Sequence, residues 1–329
     1  MYDIFTFGQA TQDVYLMSKK FKVIQNTRSS SAQAACFAFG SKMELDDVLF
    51  EVGGGGTNTA VTFSRLGLST AVVTKIGSDA AGEEIIASLH EHGVSSHFVS
   101  VDDRMRSGYS TIFLNIAGER AILVYRGASH SLKPTDIDWK HIDGRWIYIS
   151  SLAGNLTLVR KIFAHAKKKG IRVAWNPGAL ELQAGIKKIG QLVRHVDVLL
   201  LNREEAVTLL GARHEKDIDL VRRLDKACEG IAVITEGEKG SWVCDNTVVR
   251  RIHIRPVKAV DTTGAGDAYG SGFVAGLIKR PGDIDYALRL ASINSASVVQ
   301  EIGAKHGLIS RKLPRTSWMR IRTQLFPSA

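Results

Sequence analysis

The chain has 329 residues, 44% apolar and 23% charged, which suits a globular protein with room for a large core and excludes a disordered or fibrous class. Its 43 Lys+Arg against 33 Asp+Glu give a formal charge of +10. The basic residues are dispersed apart from Lys167–Lys169, the segment 250–255 and the tail from Arg311, with no aromatic-interleaved stripe, so a solvated basic face is expected and no nucleic-acid partner. Cys36, Cys228 and Cys244 are scattered without C-x-x-C spacing, which fits a reducing cytoplasm and argues against a disulfide framework or a zinc site. No run approaches the roughly 18 apolar residues of a membrane helix, and the N-terminus lacks the basic and apolar regions of a signal peptide.

In chain order, Asp3 to Gly8 predicts a strand, and residues 14–52 read as β-rich around the polar segment Ser18 to Lys42. A glycine run at 53–56 precedes a helix to about Leu66. Ala71 to Gly77 predicts a strand, and Asp79 to His92 a helix whose Glu83 and Glu84 suit the positive end of its dipole. Tyr109 to Ile116 and Ala121 to Tyr125 predict a hairpin through Ala117-Gly118-Glu119. Strands then alternate with helices: Trp146–Ser150, Leu156–Lys169, Ile171–Trp175, 183–195, Asp197–Leu201, Glu204–Leu210, Asp217–Cys228 and Ile231–Thr235. Arg255 to Val260 predicts a further strand and Ala268 to Lys279 a helix. Strands that are continuous apolar runs, separated by helices, predict an α/β fold with a mostly parallel central sheet covered by helices on both faces. Hairpin strands are not expected to extend such a parallel sheet. Segments 14–52 and 108–126 are therefore expected to form a small β lid on one domain spanning 1–329.

Two glycine stretches carry the chemistry. VDTTGAGDAYG, at 260–270, fits neither the Walker A pattern nor a G-x-G-x-x-G fingerprint, because Tyr269 stands where the third glycine belongs. Between a predicted strand and a predicted helix, the amides of residues 264–267 would form an anion site at the helix N-terminus. Asp267 beside it is placed to accept a hydroxyl proton, and the helix end is expected to lower its pKa. Read alone, Asp261 and Asp267 serve equally as caps of a turn and a helix. The second stretch, EVGGGGTNTA at 51–60, allows close backbone approach to a ligand and adds Asn58, both donor and acceptor; a flexible loop hinge is the plainer reading.

Together, GGGGTNTAVTFSRLG (Gly53 to Gly67) and DTTGAGDAYGSGFVAGL (Asp261 to Leu277) resemble the two signatures of the ribokinase family of PfkB-type carbohydrate kinases. The resemblance covers essentially the whole chain. It implies a ribokinase-like fold and transfer of the ATP γ-phosphate, with Mg²⁺, to a hydroxymethyl group of a sugar, sugar derivative or nucleoside. A homodimer formed through the lid is a separate expectation. By the same resemblance, Asp13, Gly54, Gly55 and Asn58 bind the acceptor. Gly264, Ala265 and Gly266 form the anion hole with Asp267 as base. Asn202 and Glu205, in N-x-x-E, position Mg²⁺ and phosphate through water. Thr235, Gly237, Gly240 and Asn294 meet the nucleotide, and Asp261, Thr263 and Gly303 hold a monovalent cation such as K⁺. Two departures bear on the substrate: Gly55 replaces a ribokinase lysine, and Ser150-Ser151 replace an acidic sugar ligand. Arg104, Arg106, Arg120 and Arg126 around the lid would suit an acidic acceptor. Phe21, Phe37, Phe39, Tyr109 and Phe113 would suit a nucleoside, or simply pack the lid. A regulator that binds sugar or nucleotide without catalysis is the reading of another class, and an intact Asp267 counts against it.

Overall fold

A computed structural model describes the chain apart from residues 26–32, 37–39, 115–119, 255–256, 311–320, 322 and 328–329. The first third holds strands β1 (Tyr2–Phe7), β2 (Thr11–Met17), β3 (Lys22–Gln25), β4 (Gln33–Cys36) and β5 (Asp47–Gly53), helix α1 (Gly55–Arg65), β6 (Thr70–Gly77), α2 (Ala80–Glu91), β7 (Val99–Asp102), β8 (Gly108–Leu114) and β9 (Arg120–Tyr125). The middle alternates: β10 (Gly144–Ile149), α3 (Leu156–Lys169), β11 (Arg172–Trp175), α4 (Ala179–Gln183), α5 (Ile186–Arg194), β12 (Val198–Asn202), α6 (Arg203–Leu210), α7 (Asp217–Ala227) and β13 (Ile231–Thr235). The last part holds β14 (Ser241–Cys244), β15 (Val248–Ile252), α8 (Ala265–Lys279), α9 (Ile284–Val298) and β16 (Thr323–Pro327).

Among the described residues, ten strands form one sheet in the order β16-β15-β14-β13-β12-β11-β10-β1-β6-β7. Neighbours from β7 to β13 pair in parallel, and β13 to β16 pair antiparallel. Alternation along a single strand shows that helices cover both faces. Phe5 and Phe7 of β1 join a core with Leu158, Ile189, Leu209 and Leu220 of α3, α5, α6 and α7. Ile4, one residue away, joins the opposite core with Phe63 of α1, Phe273 of α8 and Ala291 of α9. Helices α8 and α9 lie so close that a Cβ on Gly276 would stand 2.4 Å from the Ala287 Cα.

The two β-rich segments merge into a separate four-stranded sheet, β5-β2-β8-β9, with β2 starting at Thr11 after only a short link from β1. The hairpin strands β8 and β9 pair as expected; their predicted turn, 117–119, lies outside the described residues, as do Phe37, Phe39 and Arg255. Two predicted elements differ. The helix over 183–195 is two helices, α4 and α5, parted at Gly185, whose φ of 75° is left-handed. The strand predicted over 255–260 is absent at residues 257–260; β15 ends at Ile252.

Candidate active site

The site forms where α1 and α8 start side by side against the ends of β1 and β10. Helix α1 begins one residue after Gly54, whose φ is 92°, and the Gly56 amide donates to the Gln9 carbonyl at 2.9 Å. Helix α8 begins after Gly264, held left-handed at φ 76° with the Ala304 Cβ 2.4 Å from where its own would lie. The Ala265 amide is engaged by the Thr262 carbonyl at 3.3 Å, and the Ala268 amide closes on the Gly264 carbonyl at 2.8 Å. Between them the amides of Gly266 and Asp267 face outward at the positive end of the helix.

The sequence-predicted Asp267 and Asn58, 209 positions apart, meet directly: Asn58 Nδ2 donates to Asp267 Oδ2 at 2.9 Å. The other oxygen, Oδ1, looks across at Gly55, where a Cβ would stand 3.3 Å away. Burial pushes the Asp267 carboxyl up from its usual range, outweighing the Asn58 hydrogen bond and the Lys305 charge that hold it down. The lowering expected from the helix end is therefore overturned: loss of water around the carboxylate dominates.

Asp13 of β2 is buried against Gly53 and receives a hydrogen bond from Thr11 Oγ1 at 2.9 Å. Burial raises its pKa, while bonds from Ser110 and Thr11 oppose the rise. In register, Glu51, Asp13, Ser110 and Val124 form one cross-strand row of the smaller sheet. Asp13, within that row, lies against the glycine stretch at Gly53.

Thr235, Gly237 and Gly240 line a pocket with Ala265, Gly266, Tyr269, Ser292 and Ser295 at the mouth of α8. Asn294 does not share it. Its amide is fully buried, donating to the Ala268 carbonyl at 2.8 Å and accepting from the Ile309 amide at 3.1 Å. Asn294 thus secures α8 from behind, while Ser292 and Ser295 of α9 line the pocket. Asn202 and Glu205 cap α6 reciprocally: Asn202 Oδ1 accepts the Glu205 amide and Glu205 Oε2 the Asn202 amide, both at 2.8 Å. Burial raises the Glu205 pKa. Tyr148, whose buried hydroxyl has no partner, is pushed up by burial, then by the charges of Asp267 and Glu205.

Asp261, Thr263 and Gly303 also come together, but as partners of one another. Asp261 Oδ1 accepts from the Thr263 amide at 2.9 Å and its hydroxyl at 2.7 Å. Oδ2 accepts from the Gly303 amide at 3.1 Å and the Tyr15 hydroxyl at 3.2 Å. The Arg120 guanidinium, from β9, lies 3.7 Å from Oδ1. Donors and an arginine thus satisfy both oxygens of this carboxylate from within the protein.

A chain with this site and this sheet order is matched by the family model for pfkB family carbohydrate kinases over residues 1–311. The chain belongs to the pfkB family of carbohydrate kinases. It is 31% identical over 252 residues to an uncharacterized sugar kinase of Archaeoglobus fulgidus, covering 74% of this chain and 97% of that protein. It is 27% identical over 269 residues to the ribokinase of Haemophilus influenzae, covering 79% and 85% of the two chains. Among solved structures, Arabidopsis thaliana ribokinase complexed with ribose and ATP superposes with a TM-score of 0.78 at 21% identity, over 94% of this chain and 96% of that one.

Two features of the kinase escaped the sequence reading. Glu181, at the start of α4, is fully buried beneath the loop after β10, with Oε1 accepting the Leu152 amide at 2.7 Å and the Gly154 amide at 3.1 Å. A carboxylate thus lies beneath Ser150-Ser151, and it is spent on backbone amides. The second is Lys305, 2% exposed within the α1 mouth; no local pattern marks it. No helix among the described residues is long and apolar enough to cross a membrane, and no cluster of metal-ligating side chains occurs among them.

Proposed function

We propose that the kinase transfers the γ-phosphoryl group of ATP to a primary hydroxyl of a small sugar or sugar derivative, with Asp267 as general base. The observation that carries this reading is the Asp267 carboxylate, held at one oxygen by Asn58 and open at the other, at the rim of the free Gly266 and Asp267 amides. Asp13 and Asn58 would orient the acceptor between the smaller sheet and the glycine run. Its hydroxyl loses a proton to Asp267 as the new P–O bond forms and the bond to the ADP oxygen breaks. The amides of Gly266 and Asp267 stabilise charge on the transferring group without reorganising. ATP with Mg²⁺ supplies the activated phosphoryl group. The pocket along Thr235, Gly237 and Gly240 would hold the nucleotide, and Glu205, with one oxygen outside its cap, the hydrated Mg²⁺.

A coupled ADP-release assay over pentoses, hexoses, aldonic acids, sugar phosphates and nucleosides tests the reading; binding of ATP or sugar with no turnover on any acceptor would point to a non-catalytic regulator instead. Because burial raises Asp267, the acid limb of kcat is expected above the usual carboxylate range. The base works only when ionised, so activity is lost as pH falls through that raised value. A limb at or below the ordinary Asp value of about 3.9 would contradict the buried base.

The smaller sheet also supports the expected self-association. Phe50, Val14, Thr111 and Leu123 form a row on the face turned away from the site, and Phe50 and Leu123 are 61% and 64% exposed. A second copy covering this row would remove that apolar surface from water. Sedimentation is expected to give a dimer for the native chain and a monomer for Phe50→Glu with Leu123→Glu. A native monomer would count against the interface.

A further inference from the structure

Lys305 reaches the site from the loop after α9. Its ammonium donates to Asn58 Oδ1 at 2.9 Å, to Thr57 Oγ1 at 3.1 Å and to the Val52 carbonyl, one acceptor for each N–H. Such a place is unfavourable for a cation. It is buried, and it lies at the N-terminal end of α1, where the helix dipole repels positive charge. Burial accordingly lowers the Lys305 pKa to about 8, against the pull of Asp13, Glu51 and Asp267. An apolar side chain would fill the space without that penalty, so the ammonium itself has a use.

What that use is follows from Asn58. An asparagine amide can sit either way round at nearly equal shape. Here one end meets an ammonium and the other a carboxylate. Only one orientation satisfies both: Oδ1 toward Lys305 and Nδ2 toward Asp267. The reverse would aim an NH₂ at the ammonium and a carbonyl at the carboxylate. We propose that Lys305 is a positioning residue for phosphoryl transfer: by donating to Asn58 Oδ1 it fixes the amide so that Nδ2 occupies Asp267 Oδ2 and leaves Oδ1 for the acceptor hydroxyl. Gly55 keeps the approach to Oδ1 clear, since a side chain there would begin 3.3 Å from it. The inference rests on the reading of Asp267 as base.

The charged groups that act on Lys305 are Asp13 of β2, Glu51 of β5, Arg65 of α1 and Asp267 of α8, with His306 paired to Glu51 at 2.9 Å. Asp267 itself is flanked by Lys305 and by the neutral Asn58 and Tyr148. Loss of the ammonium raises the Asp267 pKa further, so the acid limb of kcat moves to higher pH. Lys305→Met is expected to lower kcat about 10- to 100-fold, the usual cost of losing a supporting hydrogen bond around a reactive group, with KM for ATP little changed and the acid limb displaced upward. Asn58→Ala is expected to do the same, and the double variant to be no worse than the poorer single one, because both act through one link. Lys305→Arg, which keeps charge and donors, should leave the limb in place. A limb unmoved in Lys305→Met, or additive losses in the double variant, overturns the proposal. Should Lys305→Met fail to fold, Lys305→Gln decides by the same limb and the same comparison with Asn58→Ala. Asp267→Asn run alongside separates the two levels. Full turnover there removes the base itself, whereas its loss with an undisturbed Lys305→Met removes only the role of Lys305.

Discussion

Asp267→Asn is expected to lower kcat by about 10²- to 10⁴-fold, the range general-base catalysis contributes, while the KM for ATP stays near the native value. The substitution keeps the size of the side chain and its place at the start of α8, so the helix and the free amides beside it persist. Asn58 Nδ2 would then face an amide instead of a carboxylate, and the side-chain carbonyl of the introduced asparagine can still accept its hydrogen bond. What disappears is the capacity to take a proton. Turnover equal to the native enzyme would refute the base assignment. A fall in nucleotide affinity with kcat preserved would recast Asp267 as part of the phosphate cradle.

Gly264→Ala is the second large effect, and it strikes stability and rate together. The backbone at φ 76° is one that a residue with a Cβ adopts at a cost of about 1–2 kcal/mol. The new methyl group would also begin 2.4 Å from the Ala304 Cβ and 2.9 Å from its Cα, which only a shift of backbone relieves. Overpacking of that kind costs about 1–3 kcal/mol. A urea titration should show the sum, and kcat should fall about 10²- to 10³-fold as the amides at 264–267 leave their places, the scale seen when a preorganised donor is removed. An unchanged denaturation midpoint would mean that the turn yields without strain, and an unchanged kcat that these amides do not meet the phosphoryl group.

The central sheet was readable because its middle strands are buried on both faces and so appear as unbroken apolar runs, with helices between them. Where the sheet turns antiparallel, that signal fades: β15 carries Arg250 and Arg251 in its middle, and the apolar pattern after it drew the predicted strand past its end. Gly185 parts α4 from α5 by a left-handed residue within an otherwise helical pattern. In the site, the glycine stretches were legible since close backbone approach leaves a local mark in composition. Along α9 the angular window is narrow: Ser292 and Ser295 meet the pocket and Asn294 turns into the core, a difference that sequence alone does not mark. Lys305 could not be read locally, because its environment is made by residues 52–58, some 253 positions away at the Val52 contact. A lysine in a basic C-terminal region looks like any solvated one until the fold brings those acceptors to it.

Asp261 connects two parts of the molecule built from different sheets. Tyr15 and Arg120 belong to the smaller sheet, while Thr263 and Gly303 belong to the turns that shape the mouth of α8. One carboxylate therefore links the position of the sheet to the shape of the phosphate cradle. Any displacement of the smaller sheet against Asp261 is therefore felt at the turn that opens α8.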